Sequence, residues 1–359
     1  MPYSGLYGYC SLDSVDLRVS MVLCYCLCLS VTMSYIGPCG DCSLDSVDLR
    51  VSMVLCYCLC LSVTMSYIGP CGDCSLDSVD LRVSMVLCYC LCLFVTMSYS
   101  GLYGYCSLDS VDLRVSMVLC YCLCLSVTMS YIGPCGDCSL DSVDLRVSMV
   151  LCYCLCLFVT MSYTGLCGDC SLDSVVLRVS MVLCYCLCLF VTMSYTGLCG
   201  DCSLDSVVLR VSMVLCYCLR QFVTMSYTGL CGDCSLDIVD LRVSMVLCYC
   251  LRQFVTMSYT GPCGDCSLDS VDLRVSMVLC YCLCLFVTMS YTGPCGDCSL
   301  DSVDLRVSMV LCYCLCLFVT MSYTGLCVDC SLDSVDLRVS MVLCIVSVCL
   351  SPCLTQDSV

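Results

Sequence analysis

A 32-residue unit repeats along almost the whole chain, and this repeat limits the possible folds more than any other feature. The unit CSLDSVDLRVSMVLCYCLCLSVTMSYIGPCGD begins at Cys10, returns at Cys42, and recurs with few changes up to Cys330. Ten complete units occupy residues 10–329, and residues 1–9 are the end of a unit. Tandem units of this length usually stack, because one unit alone cannot bury its apolar face.

The last residues depart from the repeat in a way that points to its origin. Residues 330–344 form a truncated unit, and the tail from Ile345 to Val359 has the unrelated sequence IVSVCLSPCLTQDSV. One permitted set of codons for this tail, shifted by one nucleotide, encodes YCLCLSVTMSYTGLC, the continuation that the repeat requires. We interpret residues 345–359 as the same DNA repeat translated in a shifted frame.

The substitutions between copies do not preserve the chemical character of the residues. Asp16 corresponds to Val176, and the Cys28–Leu29 pair corresponds to Arg220–Gln221 and again to Arg252–Gln253 in the next copy. Each difference fits a single-nucleotide change, and neighbouring copies share it, as duplication of DNA blocks would produce. The sequence therefore predicts a translated tandem DNA repeat, an open reading frame without a selected biochemical function.

Alternation of apolar and polar residues predicts β-strands within each unit. From Val15 to Tyr35 every odd position is large and apolar, and the even positions are small or polar except Val22. This two-residue period is typical of a half-buried strand. A straight strand of this length would be far longer than usual, so we expect it to bend or break. The segment IGPCGDCSLDS predicts turns and loops. The expected fold is an all-β tandem-repeat array, either a β-solenoid or a stacked sheet.

A multi-pass α-helical transmembrane protein is the alternative fold and the alternative function. The stretch from Val19 to Gly40 is uncharged and long enough to span a bilayer as a helix. Arg220 falls inside such a span, and the loops on the two sides carry no difference in basic charge that would set an orientation. A membrane remains a possible partner. No N-terminal signal peptide is expected, and the sequence does not assign a cellular location.

A second alternative function is that of a Cys-rich structural repeat protein that associates with itself. Stacked copies would place Asp16 and Arg18 in ladders of like charge, and unprotected strand edges would favour aggregation. The window LCYCLCL is apolar, uncharged and rich in β-forming residues, so we expect the chain to aggregate. Changing Cys-Leu to Arg-Gln in every unit should raise solubility. With 51 cysteines, disulfides would link chains in an oxidising compartment.

No residue is proposed as catalytic, cofactor-binding or metal-binding, and we predict that the protein is not an enzyme. The chain has no histidine, and its charge of −17 without lysine argues against a nucleic-acid partner. The CGDC motif (Cys39–Cys42) has the spacing of a zinc or redox pair, but copy three lacks it. We expect Cys24, Cys26 and Cys28 to share one strand face. Asp13 and Asp16 should fall on opposite faces, which excludes a catalytic carboxylate pair. No small-molecule substrate can be identified.

Overall fold

The computed structural model describes residues 2–4, 7–36, 39–69, 72–101, 104–134, 136–166, 168–198, 200–230, 232–324 and 327–357, and its regular elements are all β-strands. The strands are β1 (Pro2–Ser4), β2 (Tyr7–Ile36), β3 (Cys39–Ile68), β4 (Cys74–Ser100), β5 (Cys106–Ile132), β6 (Cys138–Leu166), β7 (Cys170–Leu198), β8 (Cys202–Leu230), β9 (Cys234–Thr260), β10 (Cys266–Thr292), β11 (Cys295–Thr324) and β12 (Cys327–Asp357).

These strands form a β-solenoid in which each repeat unit is one coil. The sheet contains the strands in chain order from β1 to β12, and consecutive strands pair in parallel. Each residue lies beside the residue 32 positions away, as Leu140 does beside Leu172 and Thr160 beside Thr192. The predicted all-β repeat array is confirmed in its solenoid form. The 32-residue period of the sequence therefore sets the register in which neighbouring strands pair.

The transmembrane-helix alternative is not supported by this architecture. Residues 19–36, which begin the uncharged stretch, lie within β2. In the described ranges no helix has the length and hydropathy needed to cross a bilayer.

Each coil folds back on itself around a dry core. We use residues 138–169 as the reference coil and divide it into segment A (138–148), a corner (149–153), segment B (154–164) and a loop (165–169). The two segments face each other, because in a later coil the Gln253 amide of segment B donates to the Leu241 carbonyl of segment A over 3.4 Å. Leucine, valine, methionine and tyrosine side chains fill the space between the segments and are almost completely buried.

The pairing between neighbouring strands is interrupted at three positions of the coil, and each interruption can change which side of the strand is buried. Between β6 and β7 the pairing skips Asp141, Met149 and Tyr153. Across the corner the pattern shifts by one residue, so Val150 and Cys152 are buried while the neighbouring large side chains are exposed. The expectation of a single apolar face at every odd position is therefore wrong at the corner. A bend changes the phase of the alternation, and this lets a long strand enclose a core.

Glycine is required where consecutive loops approach each other. Gly197 has a φ of 131°, and a Cβ on this residue would lie 2.0 Å from the Gly165 carbonyl oxygen. A side chain at this position would therefore clash with backbone and would also force an unfavourable conformation.

The final strand continues the solenoid beyond the end of the repeat sequence. The pairing of β11 with β12 keeps the 32-residue offset up to Cys312 and Cys344, and from Cys314 and Ser347 onward the offset is one residue longer. The residues that we interpret as frame-shifted thus pair as strand after a one-residue irregularity.

Candidate functional site

The two aspartates of the LDSVD segment both project outward in the reference coil, which corrects the expectation that they lie on opposite faces. Asp16 is exposed, and the side chain of Asp13 lies outside the described residues. In the reference coil the equivalent residues are Asp141 and Asp144, and both lie on the outer surface. The pairing break at Asp141 shifts the alternation between them. Sharing a face does not create a catalytic pair, because each of the two carboxylates has a different environment.

The first aspartate belongs to a row of like charges. Burial and the neighbouring Asp141 raise the pKa of Asp173, and burial followed by the neighbouring carboxylate raises the pKa of Asp109. The hydroxyl of Ser142 donates to the Asp109 carbonyl oxygen over 3.3 Å. The row is thus a structural element at the edge of segment A, held to the next coil by serine.

The second aspartate pairs with arginine on what we call the Asp–Arg face, the outer surface of segment A. The Arg82 Nε atom donates to Asp80 over 2.8 Å, and the same two-residue spacing joins Arg146 to Asp144. As predicted, the coils stack these residues in ladders of like charge, although Val176 and Val208 interrupt the aspartate ladder. Where both residues are present, the ion pair within the coil alternates the sign of charge across the face.

The three cysteines of CYCLC do not share a face, contrary to the sequence expectation. Cys152 is buried at the corner, whereas Cys154 and Cys156 lie half-buried on the outer surface of segment B. The pairing break at Tyr153 separates them. We call this outer surface the thiol face. Burial, first among the causes, and neighbouring thiols raise the pKa of Cys92 to about 12, so most of these thiols are protonated and unreactive near neutral pH.

The CxxC motif also gives no metal centre where it can be followed. The side chains of Cys39 and Cys42 lie outside the described residues, but Cys263 and Cys266 represent the motif in a later coil. Cys266 is buried, and hydrogen bonds with Cys234 and Cys263 raise its thiol pKa. Among the residues that the structure describes, no group of three or more potential ligands could hold a metal ion.

The most unusual surface lies at the corner of the coil and was not anticipated from the sequence. Met149, Leu151 and Tyr153 point outward, each 44% exposed. Their equivalents repeat on coil after coil, and we call these three rows the apolar corner. The tyrosine rings stack in parallel with centroids 4.9 Å apart from Tyr121 to Tyr153 and from Tyr153 to Tyr185. The corner carries no charged residue in any complete unit.

The apolar corner is shaped as a groove that follows the solenoid axis. A groove of about 1100 Å³ runs between a ridge of methionines and a ridge of leucines, with Val86, Val118 and Val150 in its floor. Nothing in the described residues covers it. A continuous exposed apolar surface is typical of an interface rather than of an isolated soluble surface.

Two copies interrupt the pattern of segment B and change both of its faces. Arg220 and Arg252 lie exposed beside each other on the thiol face, and Gln221 and Gln253 are fully buried in the core. Gln253 donates to the Gln221 Oε1 atom over 2.5 Å. The Gln221 Nε2 and Gln253 Oε1 atoms have no hydrogen-bond partner among the described residues. A Leu-to-Gln change in a dry core is costly, so this substitution is not adapted to its position.

Comparison with known protein families, with curated proteins and with solved structures finds no match to this chain.

Proposed function

We propose that this chain is the translation of a tandem DNA repeat and performs no selected biochemical reaction. The observation that carries the proposal is the tail from Ile345 to Val359, which matches the repeat in a shifted frame. Gln221 and Gln253 support it, since a polar amide replaces leucine in the core of two coils. Val176 supports it too, because Arg178 has no carboxylate partner within the described residues as a result of this change.

The nucleotide sequence of the gene provides the test. If selection has not acted on the amino acids, differences between the copies should change residues about as often as random mutation predicts. A clear excess of synonymous differences between copies would contradict the proposal, because it would show that the encoded residues have been maintained.

A second candidate is a structural protein that associates with copies of itself, and the apolar corner favours it. Identical residues stacked in register form the flat rows that pair across dry interfaces in stacked β-sheets. The Met and Leu side chains on one chain repeat along the solenoid axis at the same spacing as the side chains that line the groove of another chain. The partner that fits is therefore a second copy of this chain.

Charge and area are both compatible with pairing of two apolar corners. The chain carries −17, but the corner has no charge, so two corners meet without direct repulsion. Five residues per coil at about 3.3 Å each and a coil spacing of about 4.8 Å give about 700 Å² per chain over about nine coils. The total of about 1,400 Å² falls within the usual range of specific interfaces. Half-buried thiols on the neighbouring face would link such assemblies under oxidising conditions.

Sedimentation of matched variants in reducing buffer tests this candidate. Replacing Leu119, Leu151 and Leu183 with Asp places three charges on the apolar corner, and we expect assemblies to disperse to monomer. Replacing Thr128, Thr160 and Thr192 with Asp adds the same charges to the thiol face and should leave assembly intact. A monomeric wild-type chain at micromolar concentration, or equal effects of the two variants, would contradict the candidate.

A further inference from the structure

One row of the thiol face contains a guanidinium next to a pair of thiols. Cys156 lies beside Cys188, and Cys188 lies beside Arg220, in the parallel register of β6, β7 and β8. Neighbouring strands are about 4.8 Å apart, which places the Cα atoms of the two cysteines within the range that a disulfide spans. In this row Arg252 follows Arg220, so two positive charges are adjacent.

The two arginines lack the compensation that most other arginines of the described residues have. On the Asp–Arg face most paired guanidinium groups contact a carboxylate two residues away, and Arg210 contacts Asp240 of the next coil. Arg220 and Arg252 form no ion pair with a carboxylate among the described residues. The groups that interact electrostatically with Cys188 are the thiols of Cys154, Cys156, Cys186 and Cys218 and the guanidinium of Arg220. A thiolate is therefore the available counter-charge in this part of the surface.

We propose that Cys188 is a nucleophilic thiolate and that Cys156 and Cys188 form a peroxide-sensitive dithiol activated by Arg220. The proposal goes beyond the proposed function, because it describes a chemical reactivity that requires no selection.

The reaction with hydrogen peroxide has two steps. The Cys188 thiol first releases its proton to solvent, and the thiolate attacks one peroxide oxygen. The O–O bond breaks, which gives a sulfenic acid, and the hydroxide that leaves takes up the released proton and becomes water. The Cys156 sulfur then attacks the Cys188 sulfur, the S–O bond breaks, and the hydroxyl group leaves as water with the Cys156 proton. Peroxide is reduced to two molecules of water, and the two thiols are oxidised to one disulfide.

The electrostatic environment agrees with this geometry. The pKa of Cys188 is lowered to about 7. A hydrogen bond from Cys156 is the main cause, burial opposes it, and the charge of Arg220 adds to the lowering. Cys92 occupies the same row with Cys60 and Cys124 on its two sides. Burial is the main cause that raises the pKa of Cys92 to about 12. Cys92 is thus an internal reference for a thiol of this row that has no arginine beside it.

Competitive alkylation of the full-length reduced chain tests the proposal. Cleavage after arginine gives identical peptides for residues 147–178 and 179–210. A Thr196→Ser change, which reproduces Ser100 of another copy, marks the second peptide by mass. We expect a brief pulse of iodoacetamide at pH 7 to label Cys188 at least roughly fivefold faster than Cys92, since lower nucleophilicity partly offsets the larger thiolate fraction.

Variants at Arg220 distinguish activation of Cys188 by the positive charge from a difference in solvent exposure of the thiols. Arg220→Gln should reduce the preference for Cys188, because it removes the positive charge and leaves the hydrogen bond from Cys156, whereas Arg220→Lys should retain most of the preference. Substoichiometric peroxide should link the marked peptide to the peptide of residues 147–178 through Cys188 and Cys156. Labelling of Cys188 no faster than that of Cys92, an unchanged preference in Arg220→Gln, or random pairing among the thiols of the row would each overturn the proposal.

Discussion

The buried glutamines show how a single residue changes a solenoid core. At most coils a leucine of segment B faces segment A, and in two successive coils an amide takes its place. The amides bond to each other and, through Gln253, to a carbonyl across the core, but one nitrogen and one oxygen remain without partners in the described structure. Unpaired polar atoms in a dry core each cost about 1–3 kcal/mol.

Replacing both glutamines should therefore stabilise the protein. We expect Gln221→Leu combined with Gln253→Leu to raise the free energy of unfolding by about 2–4 kcal/mol, because it removes unpaired polar atoms and adds buried apolar area. Urea unfolding followed by circular dichroism measures the change. Each single variant should give less than half of the effect, because it leaves the other amide without its partner. A destabilised double variant would contradict the assignment of these residues to the core.

The same geometry revises the solubility prediction made from the sequence. In the two copies where Arg-Gln replaces Cys-Leu, the arginine faces solvent and the glutamine faces the core. We therefore expect Cys→Arg alone in every complete unit, at the position of Arg220, to raise solubility more than the double change does. A turbidity assay in reducing buffer compares the two. Equal or greater solubility of the double change would contradict this revision.

At the scale of the strand, the alternation of apolar and polar residues predicted the β-strands but not the corner within each coil. The two-residue period, the turn-forming residues and the exact repeat were sufficient to predict β-strands stacked in a repeat array. The apolar corner was missed because alternation gives the face of a residue only while the strand continues straight. Val22 was the available signal, since it is the one large apolar residue at an even position. Its equivalents, including Val54 and Val86, are buried at the corner.

The corner is formed by a methionine in a conformation that favours glycine. Met149 and Met181 both have a φ of 51°, in the left-handed region. We expect Met149→Gly to raise the free energy of unfolding by about 0.5–1 kcal/mol, because glycine adopts this conformation without steric cost. Met161→Gly in the same coil is the matched control: its methionine is buried, and its loss should cost about 3 kcal/mol or more. Destabilisation by both variants would contradict the positive φ at the corner.

At the scale of the whole molecule, stacking places most of the described thiols beside identical thiols, and this makes the stability of the fold fall at alkaline pH. Burial and neighbouring thiols raise the pKa of Cys56 to about 12 from an ordinary value of 9.0. In the unfolded chain these thiols lose their protons near the ordinary value. Their contribution to stability is therefore complete below about pH 9 and is lost as the pH rises towards 12.

We expect the strand signal in circular dichroism, recorded in reducing buffer, to fall between pH 9 and 12. Buried Tyr163 acts in the same direction, because burial raises its pKa well above the ordinary value. Burial raises the pKa values of Cys90, Cys122 and Cys154 on the thiol face, and a variant with Ser at these three positions should shift this transition to higher pH. A strand signal that is constant up to pH 12 would contradict the stacking of buried thiols.

The central claim is that each 32-residue unit advances the chain by one coil of a parallel, in-register solenoid. Spin labels on unnatural amino acids at two threonines of segment B, in labelled chains diluted with unlabelled ones, measure this advance directly by double electron–electron resonance. Thr96 and Thr256 are five coils apart and should lie about 24 Å apart, and Thr64 and Thr288, seven coils apart, about 34 Å. A distance that fails to increase by about 4.8 Å per unit, or a broad distribution beyond 60 Å, would contradict the solenoid.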